Sequence, residues 1–240
     1  MTDAPGVIGV LGGTGPQGRG LALRLALAGH TVVVGSRDAG RAAATAADLA
    51  VPRAGVDVPS GPGSALPVSG ADNPLPVSGA DNATAAAAAD VVIVAVPWTG
   101  HADLLESLRE HLAGKIVIDC VNPMGFDKRG GYALDVEEGS AAEQAAALLP
   151  DSTIVAAFHH VSAVLLADLT RSTVDCDVLV LAEDRDAATV VQDLADAIPG
   201  MRGIYAGRLR NAHQVETLTA NLIAINRRYQ THAGIRITGV

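Results

Sequence analysis

Aromatic side chains are nearly missing from this chain: Phe, Trp and Tyr together make up 2% of its 240 residues. A core must therefore be filled by Val, Leu, Ile and Ala. Lysine is confined to Lys115 and Lys128. The residues four positions after Tyr132, Tyr205 and Tyr229 are Val136, Leu209 and Ala233, so no Tyr-x-x-x-Lys proton donor exists. With no lysine beyond Lys128, hydroxyacid dehydrogenases that use a lysine on a later helix are disfavoured too. Only two cysteines occur, Cys120 and Cys176, without the paired spacing of a disulfide framework or a zinc site. They are expected as buried free thiols in a reducing cytosol, and no metal site is expected. Positive charge is also scarce: 17 Lys and Arg against 26 Asp and Glu leave a net −9. That argues against general nucleic-acid affinity, so any anion must be met by a local basic cluster. No apolar run approaches the roughly 20 residues of a membrane helix, and "MTDAPG" is not a signal peptide. A cytoplasmic protein without membrane partners is expected.

What is present is 49% hydrophobic and 18% charged, the texture of a globular chain. Val7 to Leu11 reads as a short strand buried on both faces. A helix from about Pro16 to Ala28 follows, with Pro16 suited to its first turn and Gly29 to its end. Between them Gly13-Thr14-Gly15-Pro16-Gln17-Gly18 fits G-x-G-x-x-G. In this strand–turn–helix setting the pattern predicts a loop whose amides approach a pyrophosphate at the helix N-terminus.

The next strand, from Thr31 to Val34, runs into Gly35-Ser36-Arg37. A dinucleotide fold commonly has Asp or Glu here, which grips the ribose 2′-hydroxyl and repels a 2′-phosphate. Ser36 and Arg37 reverse that preference with a hydroxyl and a fixed cationic fork. Arg41 adds a second positive charge on the next helix, and Thr14 a further hydroxyl nearby. The expected cofactor is NADP.

Alternation then pauses. Residues 51 to 82 are rich in Pro, Gly and Ser, and "LPVSGADNP" (66–74) is followed at once by "LPVSGADN" (75–82). A nine-residue period repeated once is too short for a solenoid, and a duplicated surface segment is expected, its first copy bulging outward. Asp81 or Asn82 can cap the helix that follows. Strands at 91–97, 115–123 and 152–158 then alternate with helices. The fold class is α/β, a doubly wound parallel sheet of Rossmann type with a smaller C-terminal α/β domain. The division is drawn as an NADP-binding domain over 1–163 and a second domain over 164–240, the latter holding two more strands and a final helix from about Ala212 to Gln230.

With no tyrosine–lysine pair, an acceptor that takes hydride directly on a ring suits the chain, because its own ring nitrogen can receive the proton. The segments "GGTGPQGRGLALRLALAGHTVVVGSR", "AVPW" and "RLRNAHQVETLTANLIAINRRY" resemble the NADPH-dependent reductases of the 8-hydroxy-5-deazaflavin coenzyme F420. The resemblance covers nearly the whole chain. It implies reversible hydride exchange between nicotinamide and deazaflavin, with NADP and coenzyme F420 as the small-molecule partners and no catalytic side chain, in a homodimer. It further implies that Thr14 to Gln17 touch the phosphates, and that Ser36, Arg37 and Arg41 hold the 2′-phosphate. Val96 and Met124 would lie along the nicotinamide, Ala163 near the hydride path and Ala233 against the deazaflavin. Ser162 departs from the pattern, where relatives often carry proline.

Several residues keep two readings. His159 and His160 are either a strand-end pair bonded to backbone or part of the deazaflavin site. Trp98 either packs at its rim or stacks on a ring. Arg208, Arg210, Arg227 and Arg228 either attract the coenzyme's anionic tail or form a solvated face. An NADP-dependent imine or ferric reductase, and a non-catalytic NADP-binding redox sensor, are the competing functions.

Overall fold

The computed structural model describes residues 6–50 and 75–240. One eight-stranded sheet runs through them in the order β10-β9-β8-β5-β4-β1-β2-β3. Its centre is β1 (Val7–Leu11), paired in parallel with β2 (Thr31–Ser36) on one side and β4 (Val91–Val94) on the other. The chain winds outward from β1 to β2 and β3 (Val77–Asp81). It then crosses back to β4, β5 (Ile116–Asp119) and β8 (Thr153–Ala156), all parallel. The reversal leaves a crevice beyond the carboxyl ends of β1 and β4, where such sheets bind ligands.

Helices cover both faces. On one lies α1 (Pro16–Leu27), which carries Pro at its start and stops at Gly29, whose φ of 97° suits glycine. Its residues from Gly20 to Ala26 are all buried because α6 (Ala163–Ala167) packs over its outer side. The helix α2 (Ala39–Leu49) flanks β2 and β3, while α3 (Asn82–Ala88), α4 (His101–Leu112) and α5 (Ala141–Leu148) pack beside one another and along the sheet. The core between them is aliphatic, as the aromatic shortage requires: Ile8, Val10, Leu21, Leu25 and Ile118 are fully buried, and Phe158 is its largest side chain.

Two segments depart from the sequence reading. The second copy of the duplication is no loop but the edge strand β3, in register with β2 from Val32↔Val77 to Ser36↔Asp81. Alternation is too weak in "PVSGAD" to announce a strand. What holds it is the free edge of β2 and the packing of α2, whose Ala42 backbone lies so close to Gly79 that a Cβ there would sit 2.3 Å from it. Asp81 is the cap of α3, its Oδ1 accepting from the Thr84 amide at 2.8 Å. The first copy lies outside the described residues. The second departure is a hairpin, β6 (Met124–Asp127) with β7 (Gly130–Ala133), in a stretch the sequence left unassigned.

Beyond residue 163, β9 (Cys176–Ala182) joins the same sheet antiparallel to β8, and β10 (Met201–Gly207) runs parallel to β9. The helix α7 (Arg185–Asp196) covers them, and α8 (Ala212–Tyr229) is the last helix, at the expected place, ending on Gln230 in the left-handed conformation.

Candidate active site

The loop after β1 is shaped by its glycines. Gly12 has φ 72°, and a Cβ on Gly18 would meet the Gly12 carbonyl at 2.8 Å, so loop and helix touch backbone to backbone. No side chain caps α1, whose Ncap is Gly15. Its first amides are therefore free for an anion, which the helix dipole favours. The Gly13 amide donates to the Gly35 carbonyl at 3.0 Å, which sets the end of β2 beside the loop. Ser36 is buried there, while Arg37 and Arg41 are exposed. Asp38 follows closely, but its Oδ1 accepts the Arg41 amide at 3.0 Å as the cap of α2. That carboxyl is thus committed to a helix start.

Past the loop, at the carboxyl ends of β4, β5 and β8, lies a cavity of about 410 Å³. Gln17, Val96 and Ala233 line it, together with Asn122, His159, His160, Ser162 and Thr219. Met124 and Ala163 do not contribute to its wall: Met124 starts β6, and Ala163 lies between the lining residues Ser162 and Val164. Trp98 sits outside as well, its ring tilted against His101 at 5.5 Å between centroids.

The two histidines part company here. The His160 ring is engaged with β9: Nε2 accepts the Leu179 amide at 3.3 Å and Nδ1 lies 3.9 Å from Cys176 Sγ. Both ring nitrogens of His159, by contrast, are buried without a hydrogen-bond partner, as is Asn122 Oδ1. Such orphans are rare in native interiors and call for an explanation; here they belong to the wall of a cavity, where a ligand's polar atoms can meet them. Burial pushes both histidines down to about 4, against the upward pull of Asp119 on His159. Both are neutral at pH 7. The His159 backbone is pinned at its carbonyl, which accepts from Asn122 Nδ2 at 2.8 Å and Thr219 Oγ1 at 3.1 Å. Just before it, Phe158 is fully buried with φ 64°, a conformation that costs a bulky residue about 1–3 kcal/mol and that clusters at functional sites.

A second cavity of about 340 Å³ lies between the hairpin and α8, lined by Arg129, Arg227 and Arg228 and sharing Ile223 with the first. Arg208 instead pairs with Glu183 at 3.1 Å.

Residues 7–123 match the family described as NADP oxidoreductase, coenzyme F420-dependent. The chain is 41% identical to the F420-dependent NADP reductase of Methanothermobacter thermautotrophicus over 97% of its own length and 95% of that protein. It belongs to this family. The corresponding reductase of Methanothermobacter marburgensis is 42% identical over 97% of the chain. Among solved structures, a candidate F420-dependent NADP reductase from Arthrobacter superposes with a TM-score of 0.75 at 26% identity, covering 98% of this chain and 100% of that one. The matched stretch includes the G-x-G-x-x-G segment read from the sequence. Asn122 and Thr219 were missed, because an amide in a loop and a hydroxyl on an amphipathic helix carry no local signature.

Proposed function

We propose that the protein transfers hydride reversibly between NADP(H) and coenzyme F420, with no side chain acting as acid or base. The observation that carries this reading is the cavity itself. It adjoins the glycine-rich loop through Gln17 and Val96, and its buried histidines, His159 and His160, are neutral. The nicotinamide supplies the hydride and the deazaflavin ring receives it when both are bound. The protein's share is to hold the rings in contact and exclude water.

In this reading Gly13, Thr14, Gly15, Pro16, Gln17 and Gly18 receive the pyrophosphate, and Ser36, Arg37 and Arg41 the 2′-phosphate. Val96 and Met124 flank the nicotinamide. Ala163 stands near the hydride path, and Ala233 contacts the deazaflavin. His159 and Asn122 offer the polar atoms that a ring carbonyl or amide needs. Arg129, Arg227 and Arg228 form a basic outlet suited to an anionic tail.

A homodimer and a cytoplasmic setting complete the reading. The dimer is supported by the exposed apolar side chains Phe126 and Tyr132 on the hairpin and Ile225 and Tyr229 on α8, since contiguous exposed apolar surface marks interfaces. The cytoplasmic setting is supported by two buried free cysteines. Among the described residues no helix is long and apolar enough to cross a membrane. Mixing the protein with NADPH and oxidised deazaflavin and following loss of the deazaflavin's visible absorbance tests the function. Turnover of an imine or ferric chelate with the deazaflavin left untouched would reject it, as would binding of NADPH without turnover of any acceptor.

A further inference from the structure

Beneath the cavity, and outside its wall, lies a buried polar chain. His101, the first residue of α4, is fully buried, as is Asp119 at the end of β5. His101 Nε2 lies 2.6 Å from Asp119 Oδ2, and Nδ1 lies 3.0 Å from Gln144 Oε1. The orientation of Gln144 is fixed independently, because its Nε2 donates to Glu138 at 3.2 Å. Both imidazole nitrogens therefore face oxygen acceptors. A neutral ring beside a carboxylate would set a lone pair against a lone pair at one of them; the imidazolium satisfies both. The other oxygen of Asp119 accepts the Val121 amide at 2.9 Å. From there the chain enters the cavity wall, since Cys120, Val121 and Asn122 all line it and Asn122 holds the His159 carbonyl.

We propose that His101 is a positioning residue for hydride transfer: doubly protonated and paired with Asp119, it fixes the turn at Val121 and Asn122, and through Asn122 the seat of His159. The inference rests on the reading of the cavity as the place where the two rings meet. A buried pair with further hydrogen bonds at both ends is the arrangement in which loss of one partner is strongly felt. The charges facing His101 agree: burial pulls its pKa down, but Asp119, the contact with Gln144 and the Glu216 carboxylate on α8 together raise it above the ordinary value. Glu216 itself is held in place by the Ala141 and Ala142 amides at the start of α5, at 2.9 and 3.1 Å.

Two measurements test this. Nitrogen-15 NMR of the histidine side chains in the intact protein should show His101 with both nitrogens protonated at pH 7, and Asp119→Asn should leave it with one. A neutral His101 in the native protein overturns the proposal. In His101→Gln, the His159 ring resonances should shift. Its turnover number should fall about tenfold to a hundredfold, as expected for misplacing reactants by less than about 1 Å, while KM for NADPH stays within about twofold. The double variant His101→Gln/Asp119→Asn should be no slower than the worse single. An unshifted His159 with unchanged turnover, or equal losses in turnover and NADPH affinity, would overturn it. The resonances do not depend on catalysis, so a native protein inert toward deazaflavin would defeat the functional reading and leave this one to be judged by the His101 and His159 signals.

Discussion

Gln17, in the first turn of α1, donates its side-chain amide to the carbonyl of Phe158 at 3.2 Å, across 141 residues of sequence. The bond joins the helix that begins at the glycine-rich loop to the strained residue that precedes His159. Such a bond contributes about 1 kcal/mol. Gln17→Ala should lower kcat/KM for hydride transfer about fivefold. Gln17→Glu, which sets carboxylate oxygen against carbonyl oxygen, should be worse. Steady-state kinetics on folded variants checks the order, and Gln17→Glu equal to the native protein would contradict it.

In the proposed reading, cofactor choice rests on the end of β2. Losing one charge-assisted contact to a phosphate costs about 1.5–3 kcal/mol. Arg37→Ala should therefore raise KM for NADPH at least about tenfold and leave NADH nearly unaffected. Equal losses with both nucleotides would remove Arg37 from the 2′-phosphate site.

Ser162 precedes α6 with φ −70° and makes no side-chain cap bond. That angle already suits proline. Ser162→Pro should stabilise the fold by about 0.4–1 kcal/mol through the unfolded chain, a gain of about 2–4 °C per kcal/mol in Tm for a protein of this size. A lower Tm in calorimetry would mean that the substitution strains the turn at Val161.

Acid stability follows from the buried titratable groups. His160 is pushed from 6.5 down to about 4 chiefly by burial. Its contribution is thus intact above pH 6.5 and lost as pH falls toward 4. His159 behaves alike, while Glu216, raised to about 7 by burial, works in the opposite sense: its contribution is complete below about pH 4.5 and lost as pH rises through 7. Two histidines outweigh one carboxyl, so their sum favours the native state less as pH drops from 6.5 to 4.5. His160→Gln should reduce the loss between pH 7 and 4.5 by roughly 2–3 kcal/mol, measured by urea unfolding at both values. An unchanged loss would show that His160 is not buried neutral.

Much of this was legible in the sequence, for physical reasons. The apolar strands, Pro16 and the glycine pattern each obey a local rule, so β1, the loop and α1 could be read directly. Ser36 and Arg37 stood out because their position in the topology gives them meaning. The strand β3 was not legible, since "PVSGAD" is held by the edge of β2 and the approach of Ala42 to Gly79, not by its own pattern. Nor could the sequence separate His159 from His160. The difference lies in what surrounds each ring: the Leu179 amide bonds one, while the nitrogens of the other have no hydrogen-bond partner. His101, Asp119 and Gln144 meet only once α4, β5 and α5 are packed.

In the proposed mechanism, hydride passes directly from ring to ring in the cavity beside His159. NADPH carrying deuterium on the transferring face is to be mixed with the protein and oxidised deazaflavin in ordinary water for a single turnover. Mass spectrometry of the reduced deazaflavin then reads the label. Direct transfer leaves one deuterium per molecule, bound to carbon. Reduced deazaflavin without the label, its deuterium lost to water, would contradict it.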